Sequence, residues 1–532
     1  MIALKKNRIT QALLSTGMFA LASVGASSAL AADGESIIRD RCLGCHVETG
    51  ESATPFSRIS EQRKTPEGWL MAISRMQQQR GLVITPEEKR TLVKYLADTQ
   101  GLAPAETREL RYVLEKQPNV TESFEPWLQD TCVRCHSGAR IGLQRRTEED
   151  WKWLVHFHMG QQPTAELHAG ARDRAWFDIA LNQVAPKLGQ VYGLNTQEWS
   201  DWQAADKQSL SGRWVMSGYL PEKGQFDATV HISELGNDKY SVTMDGQYAD
   251  GTPLTGKGSG IVYTSYDWRG AVTINGVKMR QVLAASEDGQ SLNGRMFKRD
   301  DDVLGGQVTA IKGAGITAVS PSYIRQGERK LLTISGNKLN GSVHLGAGVK
   351  VVSVVSRDDN RVVVVAEASQ RAESGHREVR VGKLSSEMPL AVYDQLARVD
   401  ITPSDSIARV GGGGGALAKQ KSWYRAVGYA AGADGKPGTE DDIRLGYMPA
   451  SWSLKPFDEI AEHDGDIKYA GTIDDRGIFT PGDAGPNPER KMSTNNVGNL
   501  TVTGTVHDGN QVVSGDSHLL VTVQKFVRAL ID

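Results

Sequence analysis

All four cysteines of this 532-residue chain belong to two copies of one short motif. The motif is Cys-x-x-Cys-His, and its copies are Cys42-Leu-Gly-Cys45-His46 and Cys132-Val-Arg-Cys135-His136. Two thiols at this spacing add to the vinyl groups of one haem, and the adjacent histidine binds the iron. Two disulfides are the other common use of four cysteines in an exported protein. Because no cysteine lies outside the motif, the sequence predicts two covalently bound haem c groups.

The segment after each motif is where we look for the second axial ligand of each iron. Both segments read Thr-x-Glu-x-Trp followed by an amphipathic pattern, so they align without a gap. In this alignment Trp69 matches Trp151, and Met76 matches His158, seven residues further along each segment. Residues at i and i+7 lie on one face of a helix. We therefore predict the axial pairs His46/Met76 and His136/His158.

Three other side chains are alternatives for these distal positions. Met71 is the alternative to Met76, and it lies off the predicted helix face. His156 and His168 are the alternatives to His158; His156 also lies off the face, and His168 falls in an insertion that the first copy lacks. Methionine ligation raises a haem potential relative to two imidazoles. We therefore expect electrons to pass from the second haem to the first.

The first 31 residues have the features of a secretory signal peptide. A basic start is followed by the apolar stretch 12–24 and by Ala29-Leu30-Ala31, a small-x-small cleavage site. We expect cleavage after Ala31 and export to the periplasm. No later stretch approaches the roughly 18 apolar residues of a spanning helix, so no membrane anchor is predicted. The net charge of −2 argues against nucleic acid as a partner.

The pattern of the remaining chain predicts a multidomain protein with a helical region that is followed by all-β domains. We expect an all-α dihaem cytochrome c domain at 32–205, with haem 1 at about 32–115 and haem 2 at about 116–205. After Trp202 the pattern alternates, which favours strands. The β domains predicted there are an antiparallel β-barrel at 206–313, an immunoglobulin-like sandwich of the IPT/TIG type at 314–395, and a second immunoglobulin-like sandwich at 396–532.

The sequence alone does not decide whether two segments of the β region bind ligands. The carboxylates between Asp434 and Asp442 could coordinate calcium, but they lack the spacing of an EF-hand, so an acidic hairpin turn is favoured. The barrel could enclose a ligand, although no convergent polar set stands out. We find no catalytic triad, paired carboxylates of defined spacing or phosphate-binding glycine loop. The chain is therefore predicted to carry no catalytic residue of its own.

This order of segments resembles the α subunit of quinohemoprotein amine dehydrogenase. The resemblance covers essentially the whole chain, and its specific residues are the two Cys-x-x-Cys-His motifs and the two Thr-x-Glu-x-Trp segments. It implies a periplasmic αβγ heterotrimer that oxidatively deaminates primary amines, with a propeller as the β subunit and a cysteine tryptophylquinone in the γ subunit. The α subunit would take electrons from that quinone and pass them to a soluble acceptor, azurin or a cytochrome c.

Two other functions fit the same features. The chain could be the dihaem electron carrier of another periplasmic dehydrogenase, or an adhesion or binding protein that uses its sandwiches. Reduction of the haems by a primary amine, with small partner chains co-purifying, would distinguish the amine dehydrogenase subunit from both.

Overall fold

The computed structural model describes residues 25–524, except 118–119, 168–172, 414 and 416. Side chains are described from Asp33 onwards. Most of the predicted signal peptide, and the alternative ligand His168, lie outside the described residues. The first helix begins at Gly25 and continues past the predicted cleavage site to Arg41.

The region up to Ala204 is mainly helical. Its helices, in chain order, are α1 (Gly25–Arg41), α2 (Pro66–Arg80), α3 (Pro86–Thr99), α4 (Pro104–Thr107), α5 (Pro126–Leu128), α6 (Ala139–Gly142), α7 (Glu148–Gln161), α8 (Thr164–Leu167), α9 (Trp176–Ile179), α10 (Ala185–Val191) and α11 (Gln197–Ala204). A 3₁₀ segment spans Arg108–Val113, and π-helical turns span Gln129–Val133 and Ala180–Val184.

The two Thr-x-Glu-x-Trp segments begin helices, as predicted. The Thr65 side chain accepts a hydrogen bond from the Gly68 amide at the start of α2, and Thr147 accepts one from Asp150 at the start of α7. Trp69 and Trp151 are both buried, each in the apolar core of its own half of the region. In the first half, α3 packs with Ile38 of α1 in that core. Each half therefore has an independent core around its motif.

The prediction of an all-α haem region is wrong in one respect. A short strand precedes each tryptophan helix, and β1 (Gln62–Lys64) pairs antiparallel with β2 (Gln144–Arg146). The two strands repeat one sequence, Gln-Arg followed by a second basic residue, and Arg63 lies opposite Arg145. The pair satisfies backbone groups between the two halves that would otherwise be buried without partners. It therefore joins the halves directly.

One buried carboxylate stabilises this junction. Both Glu106 oxygens accept hydrogen bonds of 2.9 Å from the Arg63 guanidinium, and Arg145 Nε lies 3.0 Å from Oε1. Burial alone would raise the pKa of Glu106, but the two arginines hold this pKa below its usual value. Glu106 therefore neutralises buried charge from both halves.

Glu106→Gln should lower the free energy of unfolding by about 3–5 kcal/mol at neutral pH, because Arg63 and Arg145 lose their shared anion. Since the folded-state pKa is depressed, this contribution is present above the unfolded pKa of about 4.3 and is lost as the pH falls through the folded value. Denaturant unfolding at pH 7 and at pH 4 measures the difference. The control is Glu109→Gln, an exposed neighbour. An equal loss in both variants would contradict a special role for Glu106.

A closed eight-stranded antiparallel barrel follows, as predicted. Its strands are β3 (Gly212–Leu220), β4 (Gly224–Gly236), β5 (Lys239–Tyr248), β6 (Pro253–Tyr263), β7 (Asp267–Ile274), β8 (Val277–Ala285), β9 (Ser291–Lys298) and β10 (Asp301–Ile311). Each pairs with the next, and β10 pairs with β3 to close the barrel. Asn275 and Gly276 both have positive φ in the tight turn between β7 and β8. Trp214, Trp268 and other apolar side chains fill the interior.

The barrel contacts the haem region through ionic and polar side chains. Arg269 of β7 donates to both Glu67 oxygens of α2, at 2.6 and 3.1 Å. Arg111 donates to the buried carboxylate of Asp267 at 2.8 Å. Trp202 Nε1 donates to the Thr264 carbonyl at 3.0 Å. The contact of Arg269 with Glu67 supports the start of α2, the helix that carries Met76.

The next domain consists of three small sheets that share an apolar core. Its strands are β11 (Gly315–Ser320), β12 (Tyr323–Arg325), β13 (Arg329–Asn337), β14 (Val343–His344), β15 (Val349–Arg357), β16 (Arg361–Ala368), β17 (Gly375–Arg377), β18 (Arg380–Val381), β19 (Leu384–Ser385) and β20 (Leu390–Tyr393). The sheet orders are β11-β13-β16-β15, β12-β20-β17 and β14-β18-β19.

The last domain has three sheets and two short helices. Its strands are β21 (Arg398–Thr402), β22 (Asp405–Arg409), β23 (Ser422–Trp423), β24 (Arg425–Ala430), β25 (Ile443–Met448), β26 (Ser451–Pro456), β27 (Gly471–Ile473), β28 (Ile478–Pro481), β29 (Gly498–Asp508) and β30 (Gln511–Thr522). The helices are α12 (Glu459–His463) and α13 (Asp466–Tyr469). The sheet orders are β21-β24-β25, β22-β30-β29-β26 and β23-β28-β27. Among the helices of the described residues, none is long and apolar enough to span a membrane.

Candidate haem-binding sites

The first Cys-x-x-Cys-His motif continues the last turn of α1. The amides of Cys45 and His46 donate to the Cys42 carbonyl at 3.1 and 3.0 Å, so the motif is one helical turn. His46 Nδ1 lies 2.8 Å from the Ser57 carbonyl oxygen. A carbonyl accepts only, so Nδ1 carries the proton and Nε2 is the nitrogen available to a metal.

The second motif begins inside the π-helical turn Gln129–Val133, which contains Cys132. His136 Nδ1 donates to the Ser137 carbonyl at 3.0 Å, which again leaves Nε2 for a metal. The Glu122 carboxylate stabilises the backbone after the motif, because it accepts hydrogen bonds from the amides of Gly138 and Ala139 at 2.6 and 3.2 Å. Tyr112 also donates to this carboxylate, at 2.6 Å.

His158 lies opposite His136. The centroids of the two rings are 6.5 Å apart, and the ring planes differ by 36°. His158 Nδ1 donates to the Leu154 carbonyl at 2.7 Å, so Nε2 is the free nitrogen here also. Two metal–nitrogen bonds of about 2 Å, with about 1 Å from each nitrogen to its ring centroid, add to about 6 Å. The observed separation therefore fits an iron bound between the rings.

Burial keeps both rings in the ligand form. It lowers the pKa of His136 and of His158, and nearby positive charge, including that of Arg140, lowers both further. Metal binding needs neutral imidazole, so these shifts favour it at neutral pH.

The other candidates of the His-Phe-His-Met stretch face elsewhere. The His156 ring packs edge-on against Phe177 at 5.2 Å and lies 5.8 Å from Trp153. Met159 is half-buried and packs against the core of the second half. Neither is in ring contact with His136, and of this stretch His158 alone is, within the described part of the chain.

The two methionine candidates of the first half also differ. Met71 Sδ accepts hydrogen bonds from Arg75 at 2.8 Å and from Arg140 at 3.1 Å. Met76 is half-buried, one turn beyond the buried Ile73, and its sulfur has no hydrogen bond within the described residues. A thioether that is already an acceptor for two guanidinium groups is a poor ligand, so this geometry favours Met76.

The carboxylates of the acidic segment from Asp434 to Asp442 bind amides of their own loop and the side chain of Arg398. Asp434 accepts from the Lys436 amide at 2.8 Å, and Asp442 accepts from the Gly438 amide at 2.8 Å and from Arg398 at 2.9 Å. Of the residues that the structure describes, no group of three or more His, Cys, Asp or Glu is placed to hold a metal ion.

Comparison with known protein families identifies the family of this chain. Residues 32–199 match the haem-binding domain of the quinohemoprotein amine dehydrogenase α subunit. Residues 207–313, 313–394 and 399–531 match domains II, III and IV of the same subunit. The chain belongs to the quinohemoprotein amine dehydrogenase α subunit family. The family resemblance predicted from the sequence is confirmed.

Two solved structures resemble parts of this α-subunit family member. A redesigned β-barrel, mFAP1, bound to DFHBI, is 17% identical over 20% of this chain and 94% of its own, with a TM-score of 0.18. Mouse clustered PcdhgC3 EC1-3 is 12% identical over 44% of this chain and 76% of its own, with a TM-score of 0.17. No curated protein matches the chain significantly.

Sequence reasoning missed two features of these sites. The first is the repeated Gln-Arg-basic segment before each capping threonine, which an alignment extended by three residues would have shown. The second is Glu122, which lies ten residues before Cys132 and has no counterpart motif. No pattern in the sequence near Glu122 indicates that its carboxylate accepts hydrogen bonds from the amides that follow the second motif.

Proposed function

We propose that this chain is the electron-transfer subunit of a periplasmic amine dehydrogenase and binds two haem c groups covalently. The observation that carries the proposal is the opposed pair His136 and His158, with ring centroids 6.5 Å apart beside Cys132 and Cys135. Both imidazoles donate through Nδ1 to backbone carbonyls, so each ring is held in the tautomer that binds iron.

The first haem would be bound by Cys42 and Cys45, with His46 and Met76 as axial ligands. His46 has the same backbone-bonded tautomer as His136, and the buried Trp69 supports the helix that carries Met76. Bound haem supplies one-electron redox chemistry. The chain's own residues orient the ligands, and the apolar side chains beside each motif form two separate cores.

Membership of an α-subunit family supports the assignment of partner subunits to the chain. In the proposed complex the chain accepts electrons from a cysteine tryptophylquinone in a γ subunit, while a propeller forms the β subunit. It passes the electrons to a soluble acceptor, azurin or a cytochrome c. Primary amines would be oxidised at the quinone, and this chain would contribute no catalytic residue. Membership of an α-subunit family is what supports these assignments.

The proposal also includes the export of the chain to the periplasm and the class of its two C-terminal domains. A basic start, an apolar stretch and Ala29-Leu30-Ala31 support cleavage after Ala31 and a periplasmic location. The two C-terminal domains, at 314–395 and 396–532, would be immunoglobulin-like sandwiches, since each packs several small sheets around one apolar core.

The test uses the native complex. We expect small partner chains to co-purify, the pyridine haemochrome assay to give two haems per chain, and butylamine to reduce both haems anaerobically. The control is a tertiary amine of similar size, which cannot be deaminated in this way. Two haems that stay oxidised with butylamine would refute the amine dehydrogenase assignment, and a chain without covalent haem would refute the whole proposal.

A further inference from the structure

A cluster of five cations lies where the two halves of the haem region meet. It consists of Arg58, Lys64, Arg75, Arg140 and Arg146, which come from both halves of the haem region. Asp150 is the carboxylate that pairs within it, with Arg58 at 2.7 Å and with Arg146. The formal charges of these six residues therefore sum to +4.

Three of the five cations have no carboxylate partner in the described part of the chain. Lys64 Nζ donates to the Gln62 side chain and lies 5.4 Å from the Trp69 ring centroid. Arg75 and Arg140 both donate to Met71 Sδ, a weak acceptor. Lys64 is buried, Arg75 is half-buried and Arg140 is exposed. Guanidinium groups that meet at one thioether without an anion repel each other, so the arrangement favours a bound anion.

The position of the cluster identifies that anion. Arg140 follows His136 by four residues, and Arg75 precedes Met76 by one. Both arginines lie close enough to His158 to act on it electrostatically. A haem held by His136 and His158 would carry two propionate carboxylates, the kind of anion that guanidinium groups bind. We propose that Arg75 and Arg140 bind the propionates of the haem at His136, an inference that rests on the proposed function.

The two copies differ at these arginines. Lys64 and Arg146 occupy equivalent positions and lie over equivalent tryptophans, each 5.4 Å from the ring centroid. Arg140 is the equivalent of Arg58, but Arg58 pairs with Asp150, whereas Arg140 has no carboxylate partner in the described part of the chain. The residue that matches Arg75 is Phe157, so this cation is absent from the second copy. Guanidinium groups suit carboxylates because they offer paired donors in a plane.

The test compares Arg75→Gln and Arg140→Gln with the wild-type native complex. Loss of a cation beside a propionate disfavours the electron-rich ferrous state. We expect the ferrous-to-ferric ratio of the second haem, at fixed electrode potential, to fall between threefold and tenfold; tenfold corresponds to about 59 mV for one electron. The propionate bending bands in resonance Raman spectra should shift in the same variants. The control is Arg80→Gln, an exposed arginine of the same helix, which should change neither readout.

Lysine variants separate charge from folding. Arg75→Lys and Arg140→Lys should keep the ratio within twofold of the wild type yet shift the Raman bands, because lysine lacks the paired donors. These variants replace any glutamine variant that fails to take up haem. Unchanged potentials and Raman bands in proteins with two haems would overturn the inference. A phosphate-dependent potential in the wild type would overturn it too, since the cluster would then bind free anions. Wild-type protein without covalent haem would instead refute the proposed function.

Discussion

Replacing His158 with alanine should convert the haem at His136 to the high-spin state, while the haem at His46 stays low-spin. His158 is the side chain opposite His136, at 6.5 Å between ring centroids, and its loss leaves the iron with one strong protein ligand. Absorption and electron paramagnetic resonance spectra of the oxidised protein measure the spin states. About half of the total haem should change, and added imidazole should restore the low-spin spectrum.

His156→Ala is the matched control for this experiment. It removes an imidazole two residues away that packs against Phe177 and Trp153. The spectrum of that variant should match the wild type. A high-spin haem in His156→Ala, with a wild-type spectrum in His158→Ala, would show that the alignment of the two segments is shifted. If neither variant changes the spectrum, His168 becomes the candidate ligand.

Met76→His should lower the reduction potential of the first haem by a large part of the difference between the potentials of the two haems. Axial ligands move haem potentials within a range of about 0.8 V, and a second imidazole lowers the potential relative to a thioether. The driving force for transfer from the second haem to the first would then be largely lost. Spectroelectrochemical titration measures the two potentials, and steady-state turnover with butylamine should slow in parallel.

Met71→Leu is the comparison for the first haem. It removes the sulfur that accepts from Arg75 and Arg140 and leaves Met76 in place. The near-infrared charge-transfer band of methionine-ligated ferric haem should persist in Met71→Leu and disappear in Met76→His. Disappearance of this band in Met71→Leu would make Met71 the ligand.

The sequence predicted the features that depend on local chemistry. Thr65 and Thr147 mark helix starts because a side-chain acceptor satisfies a free amide within three residues. The buried faces of α2 and α7 follow from helical periodicity, and both Trp69 and Trp151 lie on them. The turn between β7 and β8 is of the same local kind, since it needs positive φ at two residues and Asn275-Gly276 supplies the pair of residues that adopts it most readily.

Features that depend on distant contacts were not predictable in this way. Arg63 lies opposite Arg145, and both reach Glu106, across 39 residues of chain in the nearer case. Like charges placed side by side do not suggest pairing until the shared carboxylate is seen. Arg75 and Arg140 read as ordinary surface cations in the sequence, and only the fold brings them together at Met71.

The antiparallel contact of β1 with β2 has a kinetic consequence. The two strands pair over their full length, and Glu106 binds an arginine from each of them. The two halves therefore have no hinge at this point. The gap across which an electron tunnels should then be the same at every turnover. Exchange between the haems should be ungated, and its rate should not vary with the viscosity of the solvent.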